Sequence, residues 1–307
     1  MSTIHQGIST ISGNERRAQL RAKIKKGELV IAPGVFEMIS AKVADRMGFD
    51  ALYMTGYGTV ASYLGLPDAG IATYTEMLAR VAKVVEKSSA PVIADADTGF
   101  GGLLNVHHTV RGYERAGVTA IQIEDQEFPK KCGHTPYRRV VPLEEMVAKV
   151  RVAVDARTDP NFLVIARTDA RGGHGFDEAV RRGQAYAEAG ADIVFVEALH
   201  SEDEMRRACK AIRAPMMANM SDGGKTPIRP AAELQSLGYA LAIWPAMAAL
   251  SASAAIERAM HHLKAQGTSL SPDVPLFGFD DFCRMVGFED VWAFEEKWKD
   301  VLDKSRR

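Results

Sequence analysis

Cysteine is scarce in this sequence of 307 residues. Cys132, Cys209 and Cys283 are an odd set without a CxxC pair. That excludes a disulfide framework and fits a reducing compartment, so a cytoplasmic protein is expected. Long apolar runs are lacking as well: none approaches the ~20 residues that cross a bilayer. The opening MSTIHQGISTISGNERRAQLRAKIKKG has no apolar stretch of the kind a secretory signal carries. Excess charge of either sign is missing, with Lys+Arg at 38 against Asp+Glu at 39. A general nucleic-acid binder carries a basic field or stripe, so nucleic acid is not expected as a partner, and neither is a membrane. There is no GxSxG elbow, no HExxH and no P-loop lysine beside the GFGG at 99–102.

What the sequence does have is a regular alternation. Short apolar runs occur at 29–33 (LVIAP), 51–55 (ALYMT), 91–95 (PVIAD), 119–124 (TAIQIE), 162–167 (FLVIAR), 192–197 (DIVFVE), 215–219 (PMMAN) and 240–244 (ALAIW). Between them lie stretches of helical periodicity, among them 74–87, 143–157, 177–189 and 202–212. Gly48, Gly117, Gly190 and Gly238 each stand just ahead of the next run, where a glycine ends a helix in the left-handed conformation. Strands apolar on both faces and alternating with helices make a parallel sheet. Eight such units predict an α/β fold, a closed (β/α)8 TIM barrel. An open doubly wound sheet is the competitor, disfavoured because no GxGxxG follows the first run.

We expect a single domain over 1–307, with the barrel at about 25–250 and a C-terminal helical arm at about 251–307. The arm reads as an alanine-rich helix to about residue 266, a Ser/Pro/Gly stretch and a last amphipathic segment at 279–304. It covers the barrel or packs on a neighbouring subunit. The basic run at 14–26 reads as the solvated face of a helix.

In a barrel of this kind, chemistry sits at the C-terminal ends of the strands. The run ends here gather Asp95, Asp97, Glu124, Arg167, Glu197 and Asn219 around one mouth. Any one of them reads as a cap or turn residue; together they read as a site. Asp95 and Asp97 are two residues apart and can face the same side, where two carboxylates repel unless a cation lies between them. With Glu124 they form an all-oxygen set that suits Mg²⁺ or Mn²⁺ better than Zn²⁺. The competing reading is a salt-bridge network with Arg167. The segment 127–141 (EFPKKCGHTPYRRVV) follows the fourth run and is placed to fold over the mouth. Its Cys132 stands among Lys130, Lys131 and His134, and positive neighbours lower a thiol pKa and favour proton-transfer chemistry. Cys209 and Cys283 read as packing residues.

These residues carry a resemblance. KKCGH at 130–134, preceded by Glu124-Asp125-Gln126, resembles the signature loop of the isocitrate lyase/phosphoenolpyruvate mutase superfamily. The likeness extends over roughly 25–250 and includes TGYG (55–58), GLPDAG (65–70), DADTGFGG (95–102), ARTDA (166–170), VEA (196–198) and ANMSDGGKTP (218–227). It implies a barrel whose last helix is exchanged between partners in a homodimer or homotetramer. The lid cysteine resembles the carbon–carbon lyase branch rather than the phosphonate mutases. By the same resemblance Asp95 and Asp97 hold Mg²⁺, with Glu124 contributing directly or through water. Thr55, Gly56, Tyr57 and Asp68 would line the substrate carboxylate, and Cys132 with Gly133 would close over it. Arg167, Glu197, Asn219 and Ser221 would contact substrate from the later strands. Cys132, Lys130, His134, Glu124 and Arg167 form the implied catalytic set.

The chemistry that follows is retro-aldol cleavage of a small 2-hydroxy dicarboxylate. It gives an α-keto acid such as pyruvate and a carboxylate, with Cys132 returning the proton as general acid. Two departures bear on the substrate. Methylisocitrate lyases generally show SGG where this chain has Thr55-Gly56-Tyr57. They also carry an Arg shortly after the eighth strand, where this chain has Leu250 in WPAMAALS. The TGYG and MSDGGKTP forms resemble lyases of alkylated malates, such as 2,3-dimethylmalate and petal-death-type lyases. Oxaloacetate cleavage or decarboxylation is the alternative, and phosphonopyruvate chemistry a more distant one.

Overall fold

The computed structural model describes residues 11–133, 135 and 138–305. Two compact units divide them, one ending at Ala249 and one beginning at Leu250.

The first unit is a barrel of eight parallel strands: β1 (Val30–Val35), β2 (Leu52–Met54), β3 (Val92–Asp95), β4 (Ala120–Glu124), β5 (Leu163–Thr168), β6 (Ile193–Val196), β7 (Met216–Asn219) and β8 (Tyr239–Trp244). Each pairs with its neighbour in sequence, and β8 pairs with β1 through Val30–Leu241 and Ala32–Ile243, which closes the ring. All eight apolar runs became strands because both faces find apolar partners. The inward faces of Ile93, Leu163, Ile165, Phe195 and Leu241 fill the barrel, and the outward faces pack on the helices. Burying such a side chain contributes about 1.5–3 kcal/mol relative to leaving it exposed. The helix Tyr74–Lys87 matches its expected span, starts with a Thr73–Glu76 capping box and buries Met77, Val81, Val84 and Val85. Gly48, Gly117, Gly190 and Gly238 all have positive φ, between 72° and 105°.

The basic run at 14–26 departs from expectation. Its helix, Gly13–Lys26, buries Leu20 and Ile24 with the residues that fill the barrel, so the helix closes the N-terminal end of the ring. Arg16 and Arg17 are buried rather than solvated. Arg16 donates to the carbonyls of Val85 and Ser88 at 3.0 and 2.8 Å. Arg17 donates to the carbonyls of Val118, at 3.0 Å, and Glu114. A composition count sees only charge; the helix sits where carbonyls at the C-terminal ends of the helices Tyr74–Lys87 and Leu103–Arg115 need donors.

In the second unit the last segment is two helices rather than one, Phe279–Val286 and Phe288–Ser305. Gly287, at φ 96°, ends the first in the left-handed conformation. Among the described residues no helix is long and apolar enough to cross a membrane.

Candidate active site

Asp95 closes β3, Glu124 closes β4 and Asn219 closes β7; Arg167 is the penultimate residue of β5. Thr55 follows β2 and Glu197 follows β6. All six are buried at the same end of the ring. The strand register brings Glu124 beside Arg167 and Asp95 beside Gln122.

Asp95 is held from three directions. Its Oδ1 accepts from the Asp97 N–H at 3.0 Å and the Gln122 amide at 3.5 Å, and its Oδ2 accepts from the Gly56 N–H at 3.3 Å. A Cβ at position 56 would lie 2.6 Å from that oxygen, so only glycine allows the approach. Asp97 has φ 49°, a left-handed conformation that turns the chain sharply after the strand. Its carboxylate meets Lys130 Nζ at 2.7 Å, and Lys130 meets Asp68 at 2.6 Å. Burial pushes Asp97 up to about 7, with Lys130 pulling against it and Asp95 adding to the rise. Burial alone would lower Lys130, but Asp97, Asp68 and Asp95 overcome it and hold the ammonium well above its ordinary range. Lys130 is a fixed cation clamping the lid to Asp97. Asp68, expected on the substrate, is engaged by that clamp.

Arg167 is the hub of the opposite side. It donates to Asp169 through Nε at 2.8 Å and Nη2 at 3.0 Å. It also lies 3.4 Å from Glu124 and 3.3 Å from Glu197. Burial raises Glu124 well above the carboxylate range, with Arg167 and Lys130 opposing. Asn219 donates to Glu197 at 3.0 Å. Among the described residues, Glu124 Oε1 and Asn219 Oδ1 in this buried mouth have no hydrogen-bond partner. Orphaned buried acceptors are costly in a native fold unless a ligand or ion satisfies them.

The lid segment starts and ends on a short zipper. Gln126 bridges Val140, Glu127 N–H donates to Arg139 at 2.9 Å, and Val141 N–H donates to Asp125 at 2.9 Å. Within it Cys132 N–H donates to the Asp68 carbonyl at 3.2 Å. Gly133 lies on the mouth itself: a Cβ there would come within 2.2 Å of Arg167 Nη2 and 2.8 Å of Glu197 Oε2. So the glycine expected over the substrate sits against two of the groups expected beneath it, with Cys132 next to it in the chain. His134 lies outside the described residues. Tyr57 is buried less than its neighbours, at 43% exposure in the first turn of the helix Gly56–Leu64, and Ser221 is buried just past β7.

Among the described residues, no three His, Cys, Asp or Glu side chains close on a single point in the manner of a protein cage for a metal. Asp97, expected with Asp95 on the ion, is paired with Lys130. The set still fits Mg²⁺, which keeps several waters and needs only one or two carboxylates. Glu124 Oε1 and Asp95 are hard oxygen donors at adjacent strand ends, and the former is unpartnered.

Several residues not singled out from sequence support these groups. Tyr53, inside the barrel, donates its hydroxyl to Gln122 at 2.9 Å, and Gln122 reaches Asp95. Asp169 aims Arg167, while the buried Arg167 and Arg138 hold it below the usual carboxylate range against the effect of burial. Asp125 accepts from Thr168, Tyr186 and Arg182. A polar Tyr53 and Gln122 within otherwise apolar strands were the available signal.

The family model described as phosphoenolpyruvate phosphomutase matches residues 20–264. The chain is 47% identical to 2,3-dimethylmalate lyase of Eubacterium barkeri, over 92% of this chain and 97% of that one. It is 43% identical to 2-methylisocitrate lyase of Aeropyrum pernix, over 93% and 91%. Among solved structures, oxaloacetate acetylhydrolase with 3,3-difluorooxalacetate superposes with a TM-score of 0.87 at 32% identity, covering 92% of this chain and 97% of that one. Phosphonopyruvate hydrolase with oxalate and Mg²⁺ superposes at 0.83, also 32% identical, covering 94% and 99%.

Proposed function

The chain belongs to the phosphoenolpyruvate phosphomutase family, and from that premise we propose that it is a Mg²⁺-dependent carbon–carbon lyase of 2-hydroxy dicarboxylates. The alkylmalate type, with 2,3-dimethylmalate as its model, is favoured over methylisocitrate. The observation that carries the reading is the seat of Gly133 on Arg167 and Glu197, with Cys132 beside it in the chain. A reaction that releases an unstable carbanion needs such a cover, because water would otherwise compete for the proton.

Asp95 and Glu124 would hold the ion, and Asp97 would support it through Lys130. Mg²⁺, when bound, lowers the pKa of a coordinated hydroxyl and neutralises charge that builds on oxygen. Arg167 and Asn219 bind and orient carboxylate and hydroxyl oxygens. A carboxylate of the mouth takes the hydroxyl proton, the C2–C3 bond breaks, and an α-keto acid and an enolate-like fragment result. Cys132 gives that fragment its proton. Lys130, fixed between Asp68 and Asp97, contributes charge and lid position rather than proton transfer. His134 is assigned to the same motif by resemblance alone.

The close relatives include both a dimethylmalate and a methylisocitrate lyase, so substrate choice rests on the chain itself. Leu250 stands where a carboxylate-binding Arg is expected, and a third carboxylate without a partner bears a desolvation cost. Pyruvate release should be measured on alkylmalates, methylisocitrate and oxaloacetate, with Mg²⁺ and again in excess EDTA. The expected result is a higher kcat/KM for an alkylmalate and none in EDTA. Efficient methylisocitrate cleavage would reverse the substrate order. The likeness to oxaloacetate acetylhydrolase keeps oxaloacetate as the second reading.

The unit from Leu250 onward exposes Phe279, Phe288, Trp292, Phe294 and Trp298. Apolar surface of that kind marks a partner surface, and we read it as the contact of a homodimer or homotetramer. Sedimentation of the intact protein tests this; a monomer at micromolar concentration would refute it.

A further inference from the structure

The lid is tied down at a second place that the proposed reaction does not use. Near its far end the Arg138 guanidinium donates to Asp169 Oδ1, and this arginine side chain is only 6% exposed. Asp169 is the carboxylate that also holds Arg167 by two hydrogen bonds. Gly172 completes the slot: a Cβ there would come within 2.8 Å of Arg138 Nη2. Behind it, the Asp169 N–H donates to Asp125 Oδ1 at 2.8 Å. Asp125 Oδ2 accepts from Thr168 at 2.7 Å, Tyr186 at 2.7 Å and Arg182 at 3.1 Å. Arg182 also donates to the carbonyl of Val141, at the end of the lid, at 2.9 Å. The backbone that carries Asp169 is therefore fixed, and its carboxylate is shared between a lid cation and a mouth cation.

We infer that Asp169 is a positioning residue that ties the seating of the lid to the orientation of Arg167, with Arg138 as the latch. Arg138 Nη1 and Arg167 Nη2 fall on the same oxygen, Oδ1. With Arg138 seated, that oxygen serves two cations and holds Arg167 less tightly. Arg167 then stands between Asp169, Glu124 and Glu197, with its third nitrogen toward the mouth. Without Arg138, the buried carboxylate has one cation left, and the guanidinium is drawn toward it and away from the mouth. An ion pair formed away from solvent is strong enough to do this, because little screening reduces it. The inference rests on 127–141 acting as a lid.

The test compares Arg138→Gln, Arg138→Lys, Asp169→Asn and Gly172→Val, the last of which displaces Arg138 while keeping both charges. Hydrogen exchange is read at the Cys132 amide, bonded to the Asp68 carbonyl, and at the Thr135 amide, bonded to that of Cys132. In ligand-free protein, Arg138→Gln and Gly172→Val should each speed exchange roughly tenfold and lower kcat roughly tenfold, the size of a contact coupling, with KM within about threefold. Arg138→Lys should fall between, since an ammonium keeps the charge and loses the fork. Adding Arg138→Gln to Asp169→Asn should cost nothing more, because the latch is already gone. Fully additive losses, or unchanged exchange in both Arg138→Gln and Gly172→Val, would overturn the latch. Oxalate plus Mg²⁺ on the unmodified protein separates the two ideas. No slowing of lid exchange there sinks the lid and the latch with it. Slowing that is equal in the unmodified protein and in Arg138→Gln sinks the latch alone.

Discussion

The two ends of the barrel bury arginines in opposite ways. At the N-terminal end Arg17 spends its donors on the carbonyls of Val118 and Glu114, on Asn14 and on Asp159. At the C-terminal end Arg167 meets three carboxylates, and Glu124 Oε1 and Asn219 Oδ1 have no partner among the described residues. Both are buried cations in one ring of strands. At the floor Arg17 satisfies its own donors and stabilises the fold. The mouth concentrates like charges and leaves bonds open among the described residues, which costs stability and suits the ion and substrate proposed for it.

The largest test of that contrast is Asp95→Ala. Turnover should fall to background and Mg²⁺-dependent ligand binding should vanish, while the melting temperature holds or rises, since a repelling carboxylate has gone. Full activity in this variant would break the comparison at the mouth. Next, Cys132→Ser keeps size and a hydrogen bond but offers a far weaker acid. Its kcat should fall by ~10²–10⁴-fold with substrate still bound, the usual contribution of a general acid. Near-normal kcat would remove Cys132 from that role. At the floor the sign reverses. Arg17→Met leaves buried carbonyls unpaired and should cost about 3 kcal/mol in denaturant unfolding, with kcat per folded molecule unchanged. A selective loss of kcat there would mean that the floor is not merely structural.

The smallest effect concerns the thiols. Burial pushes Cys209 up to about 12, with a hydrogen bond from Tyr239 opposing only in part. A raised thiol pKa means that the neutral form persists as pH rises. Cys209 should therefore resist alkylation at pH 8 in the folded protein and react only on unfolding. Mass mapping of labelled peptides checks this, and rapid native labelling at Cys209 would contradict it.

Much of this architecture can be read along the chain. Eight runs apolar on both faces have no stable place outside a covered parallel sheet, and their spacing leaves one helix between neighbours. Polar residues at the run ends could then be assigned to one mouth before any coordinate was known, as Asp95, Glu124, Arg167, Glu197 and Asn219 show. The burial of Arg16 and Arg17 was not legible, because a basic run has the same composition whether it faces water or helix C-terminal carbonyls. Nor was the clamp of Lys130 on Asp97 and Asp68 legible.

Local pattern thus determined the elements, their order and the end of the barrel where chemistry lies, since these depend on periodicity and on residues close in sequence. Which carboxylate each cation takes was decided only by tertiary structure. Arg167, Arg138 and Asp169 come from β5, the lid and the loop between them in space. Pairing among buried charges depends on ångström separations and desolvation, which closure of the ring sets and a linear sequence does not carry.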